Sequence, residues 1–294
     1  MTIAPRLRIS AVPGYFFQDD PTTDPDTFDY VKSNFGLIPQ QYDQEPTTAQ
    51  SSSQWQRFAA HIQRLNAANK TQKLKVLFLG RHGEGVHNVA ERKYGTKLWD
   101  EYWSLQDGDE ESNWVDARLT SQGRHQAEIA NAAWKQQIEA GIPLPERYYV
   151  SPLNRCLETA RITFTGILQR PFQPVIKELL RETMGQHTCD RRSRASEIAE
   201  EFPEYRFEDG FEEEDLLWDA EVRESDEQRN QRLRCLLDGI FAEVGDESTF
   251  ISLTAHSGAI TSVLEVVGHR RFALATGAVI PVVVSVERDA PSGL

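Results

Sequence analysis

The apolar run Val76-Leu77-Phe78-Leu79 leads directly into Gly80-Arg81-His82-Gly83-Glu84-Gly85-Val86-His87-Asn88, and the fold is read outward from this junction. A short β-rich run that ends in glycine describes a buried strand feeding a tight loop. The loop then holds a guanidinium and an imidazole at the carboxyl end of a strand, where open α/β sheets place their ligands. Taken by itself, the stretch also fits a surface loop that happens to carry two histidines. Three distant stretches bear on the choice: Ser151-Pro152-Leu153-Asn154-Arg155, Arg181-Glu182 and Thr254-Ala255-His256-Ser257-Gly258.

Around the junction, strand and helix alternate. Trp55, Phe58, Ala59, Ile62 and Leu65 follow a serine-rich cap at helical spacing and predict an amphipathic helix between Ser51 and Lys70. Lys75 to Gly80 is the organising strand. Leu119-Thr120-Ser121-Gln122-Gly123 starts a second helix that Gly141 ends. Arg147 to Val150 reads as a strand, after which Ser151-Pro152 supplies an N-cap serine and a first-turn proline. Pro174 to Lys177 is a further short strand. Leu233, Leu236, Leu237, Ile240, Phe241 and Val244 mark a helix, Phe250 to Thr254 a strand, Ser257 to Val267 a helix and Val279 to Val286 a last strand. This alternation predicts a three-layer α/β/α fold around a mostly parallel sheet covered on both faces.

Two segments break the rhythm. Residues 95–118 hold three tryptophans and many acids with no clear period, and read as an irregular insertion. Glu208 to Asp215 is strongly acidic, which by default means a solvated loop or face. Residues 1–50 carry aromatic and apolar islands (Tyr15-Phe16-Phe17, Phe28 and Tyr30, Phe35-Gly36-Leu37-Ile38), too many for a disordered tail. They are expected to form an ordered N-terminal arm docked on one α/β domain spanning residues 51–294. No internal repeat and no interior linker divides the chain.

Composition narrows the class. The chain has 294 residues, 39% apolar and 26% charged, ample for a substantial core. No apolar stretch approaches a membrane span, and Met1 to Gly14 lacks the pattern of a secretory signal. Cys156, Cys189 and Cys235 are odd in number and widely spaced, which fits neither a disulfide framework nor a paired zinc motif. A cytoplasmic protein with free thiols is expected. The net charge of −13 disfavours binding to nucleic acid or an anionic membrane, so an anionic substrate needs locally concentrated arginines. Oligomeric state is not legible.

The chemistry follows from convergence. His82 and His256 each follow a strand directly, and parallel strands would bring both to one sheet edge. Arg81 and Arg155 sit beside or just after such strand ends, and the guanidinium fork matches phosphate or carboxylate oxygens. Two arginines and two histidines around one dianion would leave a neutral imidazole to attack it.

This ordered set resembles the histidine phosphatase superfamily, in its phosphoglycerate-mutase-like branch. The resemblance rests on Arg81-His82-Gly83-Glu84 with Asn88, on Ser151 to Thr159, on Glu182 and on Ala255-His256-Ser257-Gly258, with a weaker echo in Leu119-Thr120, Gly123 and Ala127. Within that family the chain looks most like the fungal phosphomutase-like proteins. The resemblance implies a phosphoglycerate-mutase-like fold and a small phosphorylated substrate, with no metal and no cofactor. It makes His82 the nucleophile that becomes phosphohistidine, and Arg81, Arg155 and His256 the phosphate pocket. Asn88 and Ser257 would be further donors, and Glu182 the acid and then the base.

Glu178 competes with Glu182 for that last role. Asn88 also fits a helix cap. His187, close behind Glu182, is a second candidate for binding, while His87, His125 and His269 read as structural or exposed. Arg191, in Arg191-Arg192-Ser193-Arg194, either starts a solvated helix or extends the anion site. Phosphoglycerate mutases carry a Tyr-Gly-Gly-Leu-type run after the acid; Thr183 to Arg191 does not match it. Hydrolysis of a phosphate monoester is therefore the first expectation, with a mutase or a binding module of little turnover as alternatives. A protonated Glu182 beside a neutral His82 places the expected activity maximum on the mildly acidic to neutral side.

Overall fold

Strand β2 (Gln72–Arg81) explains why the molecule has three layers. Its residues alternate between two cores: Leu77 and Leu79 face one, Val76 and Phe78 the other. A strand buried on both faces needs helices on both faces. The computed structural model describes residues 7–43 and 52–288. Seven strands lie in the order β1-β7-β2-β6-β3-β4-β5: β1 (Leu7–Ala11), β3 (Arg147–Val150), β4 (Val175–Ile176), β5 (Arg206–Phe207), β6 (Phe250–Ala255) and β7 (Val279–Arg288) join β2. β2, β6, β3, β4 and β5 pair in parallel, and β7 is antiparallel to both β1 and β2. The mostly parallel sheet read from the alternation is therefore present, with one reversed strand.

One core holds α1 (Gln54–Ala68), α4 (Ser121–Glu139) and α5 (Asn154–Phe164), through Trp55, Phe58, Trp134 and Phe164. The opposite core holds α7 (Asp226–Val244) and α8 (Ser257–Val266), through Leu237, Ile240, Ile260 and Leu264. Ser53 caps α1 by accepting the Gln56 N–H, and Thr120 caps α4 by accepting the Gly123 N–H.

Three local expectations change. The insertion is not irregular throughout: α2 (Val86–Tyr94) is followed by α3 (Thr96–Glu101), whose Trp99 packs with Trp114, Ala117 and Cys189 in a small core of its own. Helix α5 starts at Asn154, not at Pro152. Its first amide is taken by Asp116 Oδ1 at 2.8 Å, an acceptor 38 residues upstream, while Ser151 is left for His256. The acidic stretch is only partly solvated. Asp215 is held by Arg181 at 2.6 Å, and the carbonyls of Glu212, Glu213 and Glu214 accept from buried Arg192. The remaining helix, α6 (Ala195–Glu201), follows directly.

The N-terminal segment is ordered where it is described. β1 adds a strand to the sheet, and Phe16, Phe35 and Leu37 are fully buried against α1 and α4. The boundary expected near residue 50 lies outside the described residues.

Candidate active site

Parallel pairing of β2 with β6 sets Arg81 opposite Ala255, so the residues that follow each strand emerge together. The His82 N–H donates to the Ala255 carbonyl at 3.0 Å, and the His82 and His256 rings lie 5.1 Å apart. The convergence expected from two separate motifs is therefore a consequence of sheet register.

The loop after β2 is shaped by close approach. A Cβ on Gly83 would overlap the Gly123 carbonyl oxygen, and a Cβ on Gly123 would overlap that of Glu84. The start of α4 thus lies backbone to backbone against the motif loop, and the Gly83 N–H reaches Thr159 Oγ1 at 3.0 Å. Asn88 does act as the cap: its Oδ1 accepts the Gly85 N–H at 2.9 Å, leaving its amide NH2 to the cavity it lines.

His82 is 2% exposed, and its Nδ1 lies 2.7 Å from the Gly83 carbonyl oxygen. A carbonyl only accepts, so Nδ1 carries the proton and Nε2 keeps a free lone pair. Burial, and after it the Arg155 and Arg81 cations, push the His82 imidazole well below its ordinary value, so it stays neutral. His256 is completely buried and lowered for the same reasons, burial first and Arg155 next. Its Nε2 lies 2.7 Å from Ser151 Oγ.

Arg155 is also completely buried. Its two terminal nitrogens donate to the Cys189 carbonyl at 2.7 Å and to Asp190 Oδ1 at 2.8 Å, but its Nε has no partner. Arg81 Nη1 donates to the Leu274 carbonyl at 2.6 Å, and its Nε is likewise unpartnered. The two guanidinium groups line the same cavity as the neutral His82 imidazole, and a pair of cations beside a neutral nucleophile suits an oxyanion.

These groups share one open cavity of about 340 Å³ with Glu182. The Glu182 carboxylate accepts the Thr183 N–H at 3.0 Å and the Gly258 N–H, at the start of α8, at 2.9 Å. Glu178, the competing acid, is instead paired with Arg181 and Arg192. A Cβ on Gly258 would overlap Glu182 Oε1, which explains the glycine after His256-Ser257. Gly258→Ala is expected to displace the carboxylate. Turnover of an alkyl phosphate, whose leaving oxygen needs a proton, should fall about 100-fold. Turnover of p-nitrophenyl phosphate should fall much less, and parallel assays of the two esters check this.

Of the other candidates, Ser257 and His187 line the cavity. Arg191 does not. Its guanidinium lies 5.1 Å over the Trp218 ring and 3.4 Å from Asp107. His87, read as structural or exposed, lines the cavity instead. His125 is exposed beside Glu128, and His269 is buried against Asp19.

Sequence reasoning missed the wall opposite the histidines. Arg223 shares Asp190 with Arg155, at 3.1 Å from Oδ2, and anchors through the same nitrogen on the Thr183 and Gly185 carbonyls. Burial would raise the Asp190 carboxyl, but Arg155 and Arg223 outweigh it and hold it low. Trp99, Glu91 and Asp100, from α2 and α3, complete the mouth. The ligand atoms of His187, Cys189 and Asp190 lie within 4.8 Å of one another. They fit a metal poorly, because Asp190 already answers two guanidinium groups and burial holds the Cys189 thiol protonated.

The chain is similar in sequence to known proteins. The family model of the histidine phosphatase superfamily (branch 1) matches residues 103–278, which include Arg155, Glu182 and His256. A probable phosphoglycerate mutase of Arthroderma benhamiae is 54% identical over 98% of this chain and 88% of its own. The probable phosphoglycerate mutase PMU1 of Saccharomyces cerevisiae is 35% identical over 95% of this chain and 97% of its own. A phosphoglycerate mutase structure from Bacillus anthracis superimposes with a TM-score of 0.47 at 17% identity, covering 71% of this chain and 88% of that one. The chain belongs to the histidine phosphatase superfamily, with a phosphoglycerate-mutase-like fold.

Proposed function

We propose that the protein is a phosphatase that hydrolyses a phosphate monoester of a small metabolite through a phosphohistidine at His82. The observation that carries the reading is the placement of His82: Nδ1 lies 2.7 Å from the Gly83 carbonyl oxygen, which leaves Nε2 as the neutral nucleophile in the cavity that Arg81 and Arg155 also line. In the first step His82 Nε2 bonds to phosphorus as the ester P–O bond breaks, and the Glu182 carboxyl proton goes to the leaving oxygen. In the second a water oxygen attacks phosphorus, its proton passes to the Glu182 carboxylate, and the N–P bond breaks to release phosphate. Arg81 and Arg155 neutralise the phosphoryl oxygens in both steps, and the Asn88 amide adds a neutral donor. His256, buried behind the cavity lining on Ser151, supports the pocket from behind. No residue of this scheme calls for a metal or cofactor.

The names of the relatives favour one second reading, a mutase that returns the phosphoryl group to the sugar acid before water reaches it. One experiment separates the two. With 3-phosphoglycerate and a panel of phosphorylated metabolites, the phosphatase reading expects inorganic phosphate to accumulate from at least one ester. Conversion of 3- to 2-phosphoglycerate without phosphate release from any ester would replace it with the mutase reading.

The pH dependence carries a sign. His82 attacks only when neutral, and its pKa is depressed from 6.5, so activity is retained above the lowered value and lost as the pH falls through it. The acid limb of kcat/KM should therefore lie well below 6.5. A limb centred on the ordinary imidazole value would contradict the neutral, buried nucleophile.

A further inference from the structure

The loop behind Arg81 and His82 has no helix or strand of its own between residues 269 and 276. It nevertheless makes the bonds that place the site. The Leu274 carbonyl is, among the described residues, the acceptor that holds the Arg81 guanidinium, at 2.6 Å. The Ala278 carbonyl takes the Arg81 N–H at 2.9 Å, and the Gly277 N–H donates to the His82 carbonyl at 3.0 Å. Something must hold this loop in turn.

The N-terminal arm does so through four of the loop's residues, His269, Arg270, Phe272 and Gly277. Arg270 Nη1 donates to the carbonyls of Gln18, Asp20 and Thr23, at 3.2, 3.0 and 3.1 Å. Beside it His269 Nε2 lies 3.0 Å from Asp19 Oδ1, whose other oxygen gathers the Gly14, Tyr15 and Phe16 amides. Phe28 meets Phe272 edge to face at 5.5 Å. Finally the Tyr30 hydroxyl donates to the Gly277 carbonyl at 3.2 Å, on the same residue whose N–H holds His82.

We propose that the arm is a working part of the phosphate pocket: Tyr30 and Arg270 are positioning residues that fix the 269–278 loop, and through it Arg81 and His82. The inference rests on the phosphatase reading of the site. Neither residue touches substrate. Each acts by keeping the guanidinium and imidazole in register with the phosphoryl group, where a displacement of about 1 Å costs roughly 100-fold in rate.

The test uses the full chain with Tyr30→Phe, Arg270→Ala and Arg270→Lys. It measures kcat and KM for p-nitrophenyl phosphate, inhibition by orthovanadate, and the melting temperature. Tyr30→Phe keeps the ring and its packing and removes one donor. It is expected to lower kcat and weaken vanadate binding by about three- to tenfold while melting near wild type. Arg270→Ala should lose more of both, and Arg270→Lys should restore most of the loss by again offering a cation to the three carbonyls. Variants that melt earlier but match wild type in kcat and vanadate inhibition would overturn the inference and leave the arm a structural clamp. Should Arg270→Ala not fold, Tyr30→Phe decides alone. Wild-type protein that neither hydrolyses the ester nor binds vanadate would remove the phosphatase reading, and this inference with it.

Discussion

His82→Ala is expected to remove turnover of p-nitrophenyl phosphate by about four orders of magnitude or more, the scale seen when a covalent nucleophile is deleted. The size of the effect follows from the surroundings of His82. Both guanidinium groups and Glu182 would remain, and together they bind and polarise the ester. The other imidazoles that line the cavity, His87 and His187, do not directly follow β2 or β6, and the His87 ring lies 5.6 Å from that of His82. His256 is fully buried with its Nε2 on Ser151, and the Cys156 and Cys189 thiols are kept protonated by burial. The variant should still bind orthovanadate, since the oxyanion donors are untouched. Phosphate release at comparable rates in wild type and variant, measured side by side, would remove His82 from the reaction.

The second large effect belongs to Arg155. Arg155→Ala deletes a completely buried cation that bonds Asp190 and the Cys189 carbonyl and lines the cavity beside His82. Loss of a preplaced donor to the transition state is expected to lower kcat/KM by about 100- to 1,000-fold. Stability should fall as well, by up to about 3–5 kcal/mol, because Asp190 is left in the interior with Arg223 alone at 3.1 Å. The same change removes one of the charges that depress His82 and His256, so the acid limb of the pH profile should move up. Denaturant unfolding and the pH profile of residual activity check the two parts separately. Arg155→Lys, which keeps the charge and loses the fork, should recover stability better than activity.

Much of the site was legible because its parts are local. His82 and His256 each follow an apolar run directly, and a parallel pairing of those runs suffices to bring them together. Glu182 followed from the resemblance, and the structure separates it from Glu178, which is spent on Arg181 and Arg192. What escaped the sequence is long-range. Arg223 lies in a loop with no period, and its meaning comes from Asp190, which in sequence is merely the acid before a basic run. Asp116 caps α5 from 38 residues away, so Ser151-Pro152 looked like a helix start by local chemistry alone. Helix α3 has six residues, too few to show a 3.6-residue period against neighbouring tryptophans. Arg191 is not among the residues that line the cavity, and a charge count could not tell that its guanidinium lies over Trp218 and beside Asp107.

The central claim is that a buried, neutral His82 accepts the phosphoryl group itself. The direct measurement is a rapid pulse of the enzyme with a radiolabelled phosphate monoester, quenched in alkali, where phosphohistidine survives, and followed by peptide mapping. The account predicts stoichiometric label on the peptide containing His82, lost in acid and absent from His82→Ala. Label on another residue, or none at all from enzyme that is releasing phosphate in the same tube, would contradict it.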